Sequence, residues 1–189
     1  MPSVELKVPT LEALPEYAAA LRRGWSPDNL RLEAAAREEL EAIERDAAGF
    51  VAAQVDREAK GGPVTLPDGS KANRLPGYRL WIWDGEFCGT VGLRWSPGTT
   101  SLPKHVLGHI GYAVVPWKRG RGCATAALGL MLKHAAKEGL GHVMVTTDPD
   151  NVASQKVILA NSGVLVERFD RGPQYGHTEA LRYRLSTHA

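Results

Sequence analysis

The sequence predicts an α/β fold of the α+β type, in which helices come first and a mixed β-sheet follows. The first sixty residues are rich in Ala, Leu, Glu and Arg, with apolar residues at helical spacing. Two runs of strand-forming residues flank Asp84-Gly85, a dipeptide that favours hairpin turns. The later part alternates short β-branched runs with amphipathic helical patterns. The predicted order is therefore helices, a hairpin, and then strand, helix, strand, helix, strand.

Two helices are predicted in the N-terminal part, over Thr10–Arg23 and Pro27–Ala59. Ser26 is expected to cap the second helix, with Pro27 in its first helical position. The segment Gly61–Gly77 is polar and rich in Gly and Pro, so we expect a loop there.

The rest of the chain shows strand and helix patterns in turn, and Gly139 and Gly163 are expected to end the two helices. Trp81 and Trp83 share one face of a predicted strand, which favours core positions over a substrate-stacking wall. The predicted elements are strands over Tyr78–Trp83, Phe87–Trp95 and Gly108–Val115, a helix over Ala124–Lys137, a strand over His142–Thr147, a helix over Asn151–Asn161, and strands over Val164–Arg168 and Leu181–Leu185.

Length and composition limit the classes of function. The chain has 189 residues and a net charge of +2, which predicts one domain (1–189) and excludes nucleic acid or an acidic membrane as the default partner. Its two cysteines, Cys88 and Cys123, form no C-x-x-C motif and no metal-spaced cluster. The N-terminal segment carries acidic residues where a signal peptide has an apolar core. These features predict a reduced, cytoplasmic protein without a metal.

The most informative segment is Tyr112–Thr125, where a strand runs into a glycine-containing loop and a helix begins at once. Gly120 and Gly122 allow a tight turn that leaves backbone N–H groups uncovered. These groups and the positive end of the helix form an anion site suited to a diphosphate, to which Arg119 and Arg121 add cationic side chains. The alternative is a strand–helix turn whose glycines only relieve strain. The P-loop, nucleophile-elbow and zinc-protease motifs are absent, and the dinucleotide fingerprint is incomplete.

The run Arg119-Gly-Arg-Gly-Cys-Ala124 matches the R/Q-x-x-G-x-G/A signature of the GNAT superfamily of N-acetyltransferases, which use acyl-CoA. Gly111-Tyr112-x-Val114-x-Pro116 precedes it as the central strand of the family does. Asn151-x-x-Ser154, followed by Gly163, resembles the next helix of the family. The resemblance covers Tyr78–Arg168 and is closest to a bacterial branch with a G-H-I-G-Y strand before the signature.

The resemblance implies a centrally splayed sheet with acetyl-CoA in the splay, and transfer of the acetyl group to a primary amine of a small molecule or a protein. Residues 78–168 are then the cofactor-binding core, and the helical part, residues 1–60, shapes the acceptor side. The implied cofactor contacts are backbone groups of Val114 and Val115, the side chains of Asn151 and Ser154, and the loop residues Arg119, Gly120, Arg121, Gly122, Cys123, Ala124 and Thr125. Asn151 as a helix N-cap, Ser154 as a first-turn serine and Val114 as core are the alternatives.

Three residues are candidates for catalysis. His109 is the candidate general base because histidine titrates near neutral pH, although strand alternation puts it on the face opposite Tyr112 unless a bulge intervenes. The alternative for His109 is a structural role at the start of a strand. Many family members carry a tyrosine seven residues after the asparagine to protonate the thiolate, but this chain has Ile158 there. Tyr112 and Ser154 are the nearest candidates for that role.

Other functions remain open at this point. The missing tyrosine is compatible with a non-catalytic acyl-CoA-binding sensor module. Lys118, Arg119 and Arg121 also suit a phosphate patch of a nucleic-acid-binding domain. A covalent route through Cys123 and a homodimer through the C-terminal strands are further alternatives.

Overall fold

The computed structural model describes residues 3–188, so Met1, Pro2 and Ala189, at the ends of the predicted domain, lie outside the described residues. The described helices are α1 (Leu14–Arg22), α2 (Leu32–Arg45), α3 (Ala47–Ala52), α4 (Cys123–Lys137) and α5 (Val152–Ala160), with 3-10 turns at Pro116–Lys118 and Pro173–Tyr175. The described strands are β1 (Glu5–Lys7), β2 (Val55–Asp56), β3 (Val64–Thr65), β4 (Lys71–Ala72), β5 (Gly77–Trp83), β6 (Phe87–Arg94), β7 (Ile110–Val114), β8 (His142–Thr147), β9 (Val164–Asp170) and β10 (Glu179–Ser186).

The strands form two main antiparallel sheets that separate between β7 and β8. The first sheet has the order β1-β5-β6-β7, with β2 also paired to β5, and the second has the order β8-β10-β9. The two sheets meet at the start of β7, where the His109 N–H donates to Met144 O at 2.8 Å and Thr146 Oγ1 donates to Leu107 O at 2.6 Å. Beyond this point no ladder of described residues joins β7 to β8. The predicted central splay is therefore confirmed.

Helices cover both faces of the first sheet because its strands alternate between two apolar cores. On one face, Ile110 of β7 packs with Leu128 and Met131 of α4. On the other face, Trp81 and Trp83 lie in a cluster with residues of α1, α2 and α3. The Tyr17 ring of α1 stacks on Trp81 with 5.0 Å between ring centroids. Both tryptophans are core residues, as the sequence predicts.

The helical prediction over Pro27–Ala59 is correct in kind but wrong in extent. Ser26 Oγ accepts the N–H of Asp28 in a turn, and α2 begins only at Leu32, where the backbone is left-handed with φ 45°. Ser26 is therefore not the helix cap, and Pro27 lies outside the helix. Asp46 then interrupts the helical segment, because its extended backbone and its side-chain bond to the Gly49 N–H start α3.

The sequence patterns missed three short pairings. β1 pairs with β5, and β2 pairs with the start of β5 beyond the end of α3. The predicted loop Gly61–Gly77 contains the small hairpin of β3 and β4. The other predicted strands and helices agree with the structure to within a few residues. Among residues 3–188, no helix combines the length and apolar character that crossing a bilayer requires.

Candidate functional site

The edge of β7 that faces the splay has backbone groups that no strand uses. The Val115 N–H donates to Cys88 O at 2.9 Å and the Arg94 N–H donates to His109 O at 2.9 Å, so alternate residues of this segment bond to β6. The backbone groups of Tyr112 and Val114 therefore point away from β6. Side chains reach both carbonyls: Asn29 Nδ2 lies 3.0 Å from Tyr112 O, and Arg119 Nε lies 3.2 Å from Val114 O.

Val115 does not share this edge, and its backbone geometry does not fit the implied role in cofactor binding. Its N–H is bonded to Cys88 O, and its carbonyl accepts the N–H of Lys118 at 3.0 Å. Its side chain is fully buried in the cluster under α1. The edge available to a pantetheine arm is therefore that of Tyr112 and Val114.

The glycine loop between β7 and α4 presents a row of unpaired backbone N–H groups. Gly120 and Gly122 have φ of 72° and 80°, values that favour glycine and turn the chain sharply into the helix. Ala126 is the first residue after the turn whose N–H finds an acceptor, Gly122 O at 3.0 Å. The N–H groups of residues 120–125 have no hydrogen-bond acceptor among residues 3–188.

This arrangement is suited to an anion. Six N–H groups without acceptors lie at the positive end of a fifteen-residue helix, where a phosphate gains both hydrogen bonds and the helix dipole. Arg119 and Arg121 are exposed beside the loop. Cys123 contributes only its backbone here, because its side chain is 2% exposed and its sulfur faces inward. A covalent route through Cys123 therefore has no support from the geometry.

Lys118 does not join the two arginines. Its ammonium bonds to Asp84 Oδ1 at 2.8 Å and lies 3.0 Å from Glu86 Oε2, and the residue is buried. These two carboxylates raise the pKa of Lys118, so that the charge is kept but neutralised locally. The cationic patch that a nucleic-acid-binding domain would need is therefore reduced to Arg119 and Arg121.

Tyr112 and Ser154 meet across the splay. The Tyr112 hydroxyl lies 2.8 Å from Ser154 Oγ and 3.4 Å from Ser154 O, which joins β7 to the first turn of α5. Burial raises the pKa of Tyr112 to about 12, partly offset by the bond to Ser154, so the phenol keeps its proton at neutral pH. Ile158, at the position of the family tyrosine, is fully buried in the core.

Asn151 caps α5, as its alternative interpretation predicts. Its Oδ1 accepts the N–H of Ser154 at 3.1 Å, which supplies one acceptor to the unpaired donors of the first turn. The side chain is exposed at the open end of the splay. Its amide nitrogen bonds to none of the described residues, so capping does not exclude a hydrogen bond to a ligand.

His109 joins the two sheets and is not exposed to the splay. It is 0% exposed, and its Nδ1 accepts the N–H of Met144 at 2.9 Å. Burial, with smaller effects from His142 and Arg94, lowers the pKa of His109 to about 4. A general base needs a lone pair that reaches the substrate, and the lone pair of this neutral imidazole is bonded to the backbone. The geometry fits the structural alternative and does not fit the catalytic hypothesis.

A pocket of about 560 Å³ lies at the mouth of the splay. The α1–α2 connection contributes Asn29, which also bonds to Tyr112 O, so the pocket borders the free edge of β7. Three carboxylates line it against one arginine. Arg171 is almost fully buried and pairs with Asp148 at 2.5 Å. The lining residues are Asn29, Leu30, Pro67, Asp148, Pro149, Asp150, Arg171, Tyr175, Thr178 and Glu179.

The sequence did not reveal this pocket, because four separate connections build it. The only local signal is the acidic Asp148-Pro149-Asp150 segment directly after a predicted strand. Nothing in the spacing relates that segment to Asn29 or to Arg171.

Comparisons with known proteins bear on the family and the fold of the chain. A family model described as "Acetyltransferase (GNAT) domain" matches residues 37–161. A search of curated proteins finds no match.

Several solved structures share the fold. RimL, a ribosomal L7/L12 alpha-N-protein acetyltransferase in complex with coenzyme A, is 13% identical, with 98% of this chain and 95% of that chain covered and a TM-score of 0.61. RimJ from Mycobacterium smegmatis in complex with CoA-disulfide is 19% identical, with 98% and 88% covered and a TM-score of 0.62. The microcin C7 self-immunity acetyltransferase MccE in complex with acetyl-CoA and AMP is 12% identical, with 97% and 92% covered and a TM-score of 0.59. At these identities the similarity establishes the fold.

Proposed function

The chain belongs to the GNAT family of acetyltransferases, and we propose that it transfers the acetyl group of acetyl-CoA to a primary amine of a small molecule or a protein. The observation that carries the proposal is the row of unpaired N–H groups over residues 120–125, next to the open edge of β7. A diphosphate and an amide-rich arm attached to it would occupy these two features together. Solved relatives of the same fold hold coenzyme A or acetyl-CoA.

In this proposal residues 119–125 bind the diphosphate, with the guanidinium groups of Arg119 and Arg121 adding charge-assisted bonds. Arg119 would leave its bond to Val114 O, which frees that carbonyl for the pantetheine arm. The arm would lie along Tyr112 and Val114 like an added strand. Asn151 would donate from its amide nitrogen while its oxygen continues to cap α5.

The thioester supplies an activated acetyl group, and the chain orients it and manages the protons. The N–H of Val114 faces the splay and would stabilise the oxyanion that forms when the amine attacks the carbonyl carbon. The C–S bond then breaks, and Tyr112 would give its proton to the leaving thiolate. Ser154, which lies 2.8 Å from Tyr112 Oη, would share that proton and help to restore it.

The acceptor amine would enter through the pocket that Asn29 and Asp148 help to line. Asp148 is paired with Arg171 and Glu179 with Arg168 at 2.6 Å, which leaves Asp150 without a cationic partner among the described residues. This carboxylate favours a cationic group in the pocket, and an amine with a pKa of about 10.4 is cationic at neutral pH. His109 is buried and its Nδ1 is bonded to the Met144 N–H, so we assign removal of the amine proton to water at the mouth of the pocket rather than to His109.

Residues 1–189 would act as one acyltransferase domain, with residues 1–60 forming part of the acceptor side and 78–168 the cofactor core. A non-catalytic acyl-CoA sensor is the second candidate function, because the usual tyrosine position holds the buried Ile158. The hydrogen bond between Tyr112 and Ser154 favours the enzyme over the sensor. It holds a proton donor at the splay, which acetyl transfer needs and a non-catalytic sensor does not.

The test is an acetyl-transfer assay that measures the free thiol released from acetyl-CoA over a panel of polyamines, aminoglycosides, amino acids and peptides. We expect turnover with at least one amine. Asp150→Asn should raise KM for that amine by roughly twofold to fivefold, as removal of an exposed charge does, and should leave KM for acetyl-CoA unchanged. Tight binding of acetyl-CoA without turnover on any amine would contradict the enzyme proposal and favour the sensor.

A further inference from the structure

Two cysteines that are distant in sequence meet an aspartate below the glycine loop. Asp84 lies in the turn between β5 and β6, Cys88 is the second residue of β6, and Cys123 is the first residue of α4. One ligand atom from each of them lies within 4.8 Å of the other two. Cys88 is 0% exposed and Cys123 is 2% exposed, and both are free thiols.

From this juxtaposition we propose that Asp84, Cys88 and Cys123 bind a divalent metal ion that prefers thiolate ligands, such as Zn²⁺. Two sulfurs and one carboxylate oxygen are ligands that Zn²⁺ prefers. Tetrahedral zinc holds such atoms roughly 3.3 to 3.8 Å apart, so groups that lie within 4.8 Å of one another need to close in by roughly 1.0 to 1.5 Å at most. This proposal is independent of the acetyl-transfer function.

Binding of the ion would leave the formal charge of the buried site unchanged. The Asp84 carboxylate is balanced by the ammonium of Lys118 at 2.8 Å. Binding of a divalent cation with release of both thiol protons adds two positive and two negative charges. The buried site therefore carries the same formal charge with and without the ion, which avoids the cost of an unpaired buried charge.

The three groups leave one position of a tetrahedral ion to another ligand. The Glu86 side chain is 74% exposed and its carboxylate lies 3.0 Å from Lys118 Nζ, which also bonds to Asp84. A water molecule or this carboxylate would complete the tetrahedron. Lys118 keeps its bond to one oxygen of Asp84 while the other oxygen turns to the ion.

The backbone holds the two thiols in place. Gly89 follows Cys88, and a Cβ at this position would lie 2.1 Å from Ala113 O, so only glycine lets β7 approach β6 so closely here. Gly122, with φ of 80°, turns the chain immediately before Cys123 and directs its sulfur inward. A metal at this point would tie the start of α4 to the turn between β5 and β6.

The experiment titrates the reduced, metal-free full-length protein with Cd²⁺ and with Zn²⁺. We expect one Cd²⁺ per chain to produce the ultraviolet charge-transfer absorption of cadmium–thiolate bonds, and one equivalent of Zn²⁺ to abolish it and to raise the unfolding temperature. Cys88→Ser and Cys123→Ser should each weaken binding by at least roughly tenfold. His177→Ala is the matched control, because the exposed pair of His177 and Asp170 (3.0 Å) is the best alternative surface site.

Three results would overturn the proposal. The first is that Cd²⁺ produces no thiolate absorption, and the second is that Zn²⁺ binding is lost in His177→Ala but kept in both serine variants. The third is that the protein binds neither ion and forms a Cys88–Cys123 disulfide. If a serine variant does not fold, proton release by the unaltered protein decides the question. One equivalent of Zn²⁺ should then release about two protons per chain in weakly buffered solution, one from each thiol, and binding without proton release would contradict the site.

Discussion

Replacement of His109 is expected to destabilise the fold rather than to remove a general base. His109 joins the two sheets through its own N–H to Met144 O (2.8 Å) and through Nδ1, which accepts the Met144 N–H (2.9 Å). His109→Ala leaves that N–H without its acceptor and opens a cavity, which together cost roughly 2 to 4 kcal/mol. His109→Asn places an oxygen near the position of Nδ1 and should cost roughly 1 to 2 kcal/mol.

The pH dependence of stability distinguishes the two roles. Burial lowers the pKa of His109 from 6.5 to about 4, so between these values the unfolded chain holds a proton that the folded protein does not. Stability is therefore fully present above pH 6.5 and is lost as the pH falls toward 4. At about 1.36 kcal/mol per pKa unit, the loss between roughly pH 8 and pH 5 is about 2 kcal/mol. The asparagine side chain of the His109→Asn variant does not titrate, so the variant lacks this loss.

The assay is urea unfolding of the unaltered protein and of His109→Asn at about pH 8 and pH 5, where the other titrating groups cancel in the comparison. We expect the unaltered protein to lose about 2 kcal/mol more than the variant on acidification. The pH profile of kcat/KM should keep its shape in the variant. Equal pH dependence of stability in the two proteins, or loss of turnover at unchanged stability, would refute the structural role and restore the base hypothesis.

Three further substitutions test the cleft and the strands around it. Tyr112→Phe should lower kcat by roughly tenfold to a hundredfold with little change in KM for acetyl-CoA, measured by steady-state kinetics; an unchanged kcat would remove Tyr112 as the acid. Gly122→Glu should abolish acetyl-CoA binding because its carboxylate would occupy the diphosphate site; Gly122→Ala, which carries the same backbone strain at φ 80° without the charge, is the calorimetric control and should still bind. Gly89→Ala should lower the free energy of unfolding in urea by roughly 3 kcal/mol, because its Cβ would lie 2.1 Å from Ala113 O. Gly92→Ala on the same strand, with its nearest contact at 3.6 Å, should change it by less than about 1 kcal/mol. Similar losses at both positions would contradict the close approach of β7 to β6.

Local sequence patterns predicted most of the sheet and the glycine turn before α4. Asp84-Gly85 marks the hairpin, and the helix after Gly122 begins at Cys123, one residue before its predicted start. These features depend on turn chemistry and periodicity, which are local. The extent of the second helix was wrong because Asp28 and Asp46 bond to nearby backbone N–H groups and so compete with the helix.

Long-range features were not predictable in this way. The Met144 N–H donates to the His109 side chain where a strand pairing would use a backbone carbonyl. Nothing in the sequence around either residue predicts this hydrogen bond. The implied contacts include both Val114 and Val115, but the Val115 N–H is bonded to Cys88 O, so the two backbones do not face the same edge. The proximity of Cys88 and Cys123 could not be predicted from their spacing either, because they lie 35 positions apart in the sequence.

Calorimetric titration of the purified protein with acetyl-CoA, with NAD and ATP as controls, tests the central claim most directly. The unpaired N–H groups of residues 120–125 and the free edge of β7 predict selective binding of one acetyl-CoA per chain at micromolar concentration. Gly122→Glu should remove that binding. A folded protein that binds no acetyl-CoA, or that binds ATP equally well, would contradict the assignment of this cleft to acetyl-CoA.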